Sequence, residues 1–153
     1  MPMKNNENIV ADLKDLLVLA NDGKDGYQSA AEATDNPELK AIFSSYAGER
    51  IVYAAELKEH IATHDGLAEN ESGDILGTLH RAWLQVKQAF ASKEDAAILG
   101  AITTGERAAI AKYNELMENY ERHADHLPLL TGQRDGIIEA LKKIETLQLQ
   151  YHN

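Results

Sequence analysis

The chain has no cysteine, only three prolines, no apolar run of membrane-spanning length, and 15 basic residues against 25 acidic ones. Without cysteine there can be no disulfide, no thiolate nucleophile and no Cys-based metal site, which fits a reducing compartment. No apolar stretch follows a basic start, and none approaches the roughly 20 residues a spanning helix needs. The expectation is therefore a cytoplasmic protein with no membrane partner. A net charge of −10 repels phosphate backbones, and no Lys/Arg stripe offsets it, so nucleic acid is not an expected partner. Acidity of this size is compatible with cation binding, although its commonest effect is solubility.

What the chain does have is helical periodicity over a length that suits one domain, 1–153. Pro37, in "TDNPELK", suits a helix restart with Asp35 or Asn36 as cap. Pro128, in "DHLPLLTG", marks the end of the main body. The polar stretch 63–74 reads as a linker, and 91–95 as a turn whose Ser92 caps the next helix. Four helices are expected, over about 7–34, 37–64, 74–91 and 93–123. The inward residues of the second are Leu39, Ile42, Tyr46, Glu49, Tyr53, Glu56 and His60. Those of the third include Leu76, Leu79, Trp83, Val86 and Phe90, and those of the fourth Leu99, Ile102, Glu106, Ala109, Tyr113, Leu116 and Tyr120. Two glycines in "NDGKDG" (21–26) imply a kink or a close backbone approach in the first helix. No strand-like alternation competes. The outline is an all-α, four-helix bundle over 7–125, built as two antiparallel hairpins. An amphipathic fifth helix within 128–151 packs on the bundle or on another copy, a route to a homo-oligomer.

Two inward carboxylates stand out. "AGERIVYAAEL" (47–57) and "TGERAAIAKYNEL" (104–116) each place the glutamate of Gly-Glu-Arg where a core side chain belongs. In antiparallel partners, residues equidistant from the turn share a level. Glu49 then lies beside Asp22 and Gly23, and Glu106 beside His80. A two-residue error moves a level by only about 3 Å. A buried carboxylate needs a partner or a metal, and two in one layer repel unless a proton or cation separates them. One reading is a metal site of Glu49, Glu106, His80 and Asp22, whose carboxylate and imidazole donors suit Fe, Mn or Zn. The other is a structural layer in which Arg50 or Arg107, with hydroxyls from Tyr27, Tyr46 or Tyr53, neutralises the glutamates. Glu56, a second inward acid, is a candidate partner for Lys14 or Arg50. His60 and His64 form an i, i+4 pair able to clamp a divalent ion, but their place in a last helical turn also suits the dipole. His123 and His126, in "ERHADH", read the same way. There is no Ser-His-Asp grouping or glycine-rich phosphate loop.

"NDGKDGYQSAAE" (21–32), "YAGERIVYAAEL" (46–57), "GTLHRAWLQVK" (77–87) and "TTGERAAIAKYNEL" (103–116) together resemble the bacterial DUF2383 family, placed among the ferritin-like folds. The similarity covers most of 5–125, and the family has no established function. The ferritin-like class implies a di-metal site in the bundle core, with a glutamate followed three residues later by a histidine on two helices. The positions that follow Glu49 and Glu106 in this way hold Val52 and Ala109, which leaves His80 as a substitute. Ferritin-like topology also needs a long crossover. The linker's reach of roughly 33 Å only just spans such a helix, so an up-down-up-down order is the alternative. Two functional readings follow. One is a metal-binding ferritin-like protein with a stress-related role. The other is a non-catalytic structural or interaction bundle whose polar layer sets helix register.

Overall fold

The sharpest boundary in the chain is made by Asn36-Pro37. The Asn36 side-chain oxygen accepts from the backbone N–H of Glu38 and Leu39 at 2.9 and 3.2 Å, satisfying two amides that a helix start leaves unpaired. Pro37 sits in the first turn, where its missing N–H removes nothing. The computed structural model describes residues 6–64, 83, 86–120 and 124–151. Within it α1 spans Asn6–Ala33 and α2 Pro37–Thr63, then come α3, Asp95–Glu118, and α4, Leu127–Gln150. Pro128 lies in the first turn of α4, so it opens a helix of the body. A 3-10 turn, Phe90–Ser92, precedes α3 and ends at Lys93, whose φ of 58° is left-handed. The expected cap at Ser92 lies inside that turn. Glu94 occupies the cap position of α3 without a side-chain bond, while Asp95 accepts from Thr34 Oγ1 at 2.6 Å. No strand occurs among the described residues, and no helix among them is long and apolar enough to cross a membrane.

The order of the helices follows from what meets at each end. Thr34 bonds to Asp95, and Asn36 Nδ2 donates to the Tyr151 hydroxyl at 2.8 Å, which gathers the start of α2, the start of α3 and the end of α4. At the other end His64 bonds to Asp125 and Tyr120 to Asp12. Hence α2 and α3 run parallel to each other, and α1 and α4 run the opposite way. Contacts join α1 to α2, α3 to α4, α1 to α3 and α2 to α4. The helices thus form a square in which every neighbour is antiparallel, with α2 and α3 on one diagonal. The end of α2 and the start of α3 therefore lie at opposite ends of the bundle. The C-terminal helix is a full member, with Leu130, Ile137, Ile144 and Leu147 buried.

Most of the expected third helix lies outside the described residues. Its expected inward residues that are described belong to the core: Trp83, Val86 and Phe90 are buried, and 83 and 86–89 are helical. The close approach expected at the two α1 glycines is found. A Cβ on Gly26 would stand 2.4 Å from the Trp83 ring, and one on Gly105 of α3 2.9 Å from it. The indole therefore lies between two helix backbones that have no side chain at those points.

In α3 every expected inward residue is buried. In α2 the buried set is Leu39, Phe43, Ala47, Arg50, Ala54, Leu57 and Ile61, about one residue out of step with the expectation. The helix touches both α1 and α4, so apolar residues occupy two of its sides. Ile42, Tyr46 and Tyr53 are half-buried on the core's edge. The apolar pattern alone leaves the rotation of such a helix loosely defined.

The glycines make a paired prediction. Gly26→Ala forces the Trp83 ring to move and should destabilise the protein by about 1–3 kcal/mol, with a shift in the emission of its one tryptophan. Gly48→Ala, where a Cβ meets nothing within 4 Å, should stabilise it by about 0.4–1 kcal/mol. Urea unfolding followed by Trp fluorescence measures both.

Candidate functional site

The core layer is built by Arg50, Glu106 and Tyr27. Arg50 and Glu106 are 3% and 0% exposed and form an ion pair from α2 to α3, Arg50 Nη2 donating to Glu106 Oε2. The Tyr27 hydroxyl donates to the same oxygen at 2.7 Å, and the guanidinium carbon stands 5.4 Å above the Tyr27 ring. Gly23 makes the room, since a Cβ there would lie 2.5 Å from Arg50 Nη1. Burial acts against the charge on Arg50, yet the Glu106 carboxylate outweighs it and holds the guanidinium's pKa above its usual value. Burial, and then the negative charge of Glu106, push the Tyr27 phenol well up.

The four residues expected to share this layer are placed differently from one another. Glu106 is inside, with its Oε1 lacking a hydrogen-bond partner. Glu49 is half-buried on the flank of α2, where its charge reaches Tyr46 and Tyr53. Asp22 is half-buried on α1, and His80 lies outside the described residues. Arg107 faces outward and pairs with Glu145 at 2.7 Å. Glu56 accepts from Gln133 of α4 at 3.1 Å; Gln133 also accepts from the buried Tyr113 hydroxyl at 2.6 Å.

Imidazoles and a carboxylate converge instead at the end of the bundle. His60 and His64 stand one turn apart at the end of α2, half-buried, with ring centres 5.1 Å apart. Because α4 is antiparallel to α2, its start lies alongside, bringing Asp125 and His126 from the turn between α3 and α4. His64 Nε2 lies 3.1 Å and His60 Nε2 3.6 Å from Asp125 Oδ1. One donor atom from each of His60, His64 and Asp125 falls within 4.8 Å of the others. A tetrahedral ion with bonds of about 2.0–2.1 Å holds its donor atoms about 3.3 Å apart, close to these spacings. His126 is 1% exposed, and neither of its ring nitrogens has a hydrogen-bond partner; nor does the buried Nε2 of His60. Buried polar atoms are normally satisfied, and their exceptions often mark an ion or water.

The electrostatics suit a cation. Burial works to raise the Asp125 pKa, but the imidazoles of His64 and His60 outweigh it and hold the carboxyl below its usual value. Burial also lowers the His126 pKa, against the pull of Asp125, and so favours the neutral ring that a metal needs. Asp125 is 59% exposed, leaving the cluster open to solvent on that side. The sequence carried the His60/His64 spacing and the neighbouring "ADH", but nothing local ties segments 61 residues apart. His123 lies outside the described residues.

The sequence model of the DUF2383 family, described as a domain of unknown function, matches residues 8–119. That span holds the core layer and the α2 histidines and ends before Asp125. No curated protein and no solved structure matches the chain.

The core layer should behave as a buried ion pair. Glu106→Gln leaves Arg50 charged and poorly compensated and should cost about 3–5 kcal/mol, whereas an Arg50→Met/Glu106→Leu double variant should recover most of it. Chemical denaturation of the three proteins tests this. The tyrosines predict an alkaline limb. Tyr27 and Tyr113 have folded pKa values raised above 10.0, mainly by burial, so their contribution is complete below pH 10 and is lost as pH rises toward the raised values. Unfolding free energies measured up the alkaline range should fall by as much as about 1.4 kcal/mol per pH unit for each of them, and Tyr27→Phe should flatten the fall.

Proposed function

The chain belongs to the DUF2383 family, and from its geometry we propose that it is a ferritin-like helical bundle, one domain over 1–153, that binds a divalent transition-metal ion through His60, His64 and Asp125. The observation that carries this reading is the convergence of three ligand atoms within 4.8 Å from two segments far apart in sequence. Two imidazoles and one carboxylate suit zinc, and also iron, whose non-haem sites use the same donor set. The end of α2 adds the negative pole of a helix dipole, which favours a cation there.

The ferritin-like assignment is supported by topology. Two antiparallel hairpins, α1/α2 and α3/α4, are joined by one connection long enough to make α2 and α3 parallel, the order that one long crossover produces. The core layer receives a separate role. Glu106 already has its charge met by Arg50, which favours register-setting over metal binding for Glu106.

The test is zinc and iron(II) binding by calorimetry on protein free of any histidine tag, with bound metal counted by mass spectrometry. One ion per chain is expected, lost in a His60→Ala/His64→Ala variant that keeps its helical content. At a free metal concentration 100 times Kd, the folded state should gain about 2.7 kcal/mol, and a chelator should return the melting temperature to that of the apo protein. Equal metal uptake by the variant and the parent would sink the assignment.

A further inference from the structure

Resting on that reading, we infer that His126 is the fourth ligand, so that the ion sits in a closed tetrahedral His3Asp centre of the structural zinc class, stapling the end of α2 to the turn that begins α4. Closed four-coordinate sites are the structural form of zinc, whereas catalytic sites keep a position for water.

The state of His126 is otherwise without explanation. It is 1% exposed, its two ring nitrogens lack hydrogen-bond partners, and as the cap residue of α4 it makes no side-chain capping bond. Its Nδ1 is 3.8 Å from Asp125 Oδ1, and its ring centre lies 6.4 and 6.5 Å from those of His60 and His64. It is therefore almost equidistant from the two. Imidazoles on one tetrahedral ion with Zn–N of about 2.0 Å have ring centres about 5 Å apart. His60 and His64 already meet that spacing at 5.1 Å, and His126, at 6.4 and 6.5 Å, has to close by about 1.5 Å. The ring is also packed against an aromatic neighbour. Tyr120 packs edge-on at 4.4 Å and is itself tied to α1 through the bond from its hydroxyl to Asp12.

Cobalt(II) is the probe, because its visible bands are strong in four-coordinate and weak in six-coordinate sites. The parent should show strong bands. His126→Ala should still bind cobalt through the remaining ligands, but at least tenfold more weakly and with shifted bands, because water replaces an imidazole. Parent-like bands and affinity within threefold in His126→Ala would overturn the inference while leaving the three-ligand site standing, with water in the fourth position. A measurement on the unaltered chain guards against a variant that fails to fold. In imidazole 15N spectra with zinc, a ring nitrogen of each of His60, His64 and His126 should shift. Shifts confined to His60 and His64 overturn the role of His126 alone, and no shift at any of the three overturns the metal site as well.

Discussion

A guanidinium and a carboxylate that are both withdrawn from water must meet, because either one alone in the interior is penalised by several kcal/mol. Arg50 and Glu106 meet across the diagonal of the bundle, α2 to α3, and much of the remaining arrangement depends on that meeting. It requires Arg50 to point inward, Gly23 to leave space for the guanidinium, and Tyr27 to donate to the carboxylate from α1. One bond network thereby ties α1, α2 and α3 at a single level. Dispersion and apolar burial hold the helices together on either side of it, but they tolerate sliding and rotation far better than an ion pair does.

The rotation of α2 has a consequence at the end of the bundle. With Arg50, Ala54, Leu57 and Ile61 inside, His60 and His64 fall on the flank of the helix next to α4. A rotation by one residue would turn His60 into the core and away from Asp125. The antiparallel run of α4 then brings Asp125 and His126 to the same end. In this way the polar layer in the middle of the bundle and the imidazole cluster at its end are mechanically linked, although no residue belongs to both.

The helices that lie wholly among the described residues were legible in the sequence to within about five residues, because caps, prolines and period act locally. For α3 the inward face was legible too, since its apolar residues lie on one side only. For α2 it was not. Its apolar residues occupy two sides, and Glu49 and Arg50 are adjacent, so the pattern could place either one inside. The choice between them is made by which of the two can find a buried partner, and that partner is 56 residues away in the chain. The level of α1 against α2, by contrast, was readable from counting along their hairpin: Arg50, next to Glu49, packs on Gly23.

The imidazole cluster marks the boundary between local and tertiary information. The sequence by itself determined the helical class, the hairpin turn at Asn36-Pro37, the glycine notches in α1, and a pair of histidines on one face at the end of α2. Each of these depends on residues within a turn or two of one another. Only the tertiary structure decided that the C-terminal helix is a wall of the bundle, that Arg50 rather than Glu49 enters the core, and that Asp125 and His126 arrive beside His60 and His64. Those outcomes depend on which helix ends are neighbours and how each helix is rotated. Both are settled by packing among segments distant in sequence, about which a local pattern carries no information.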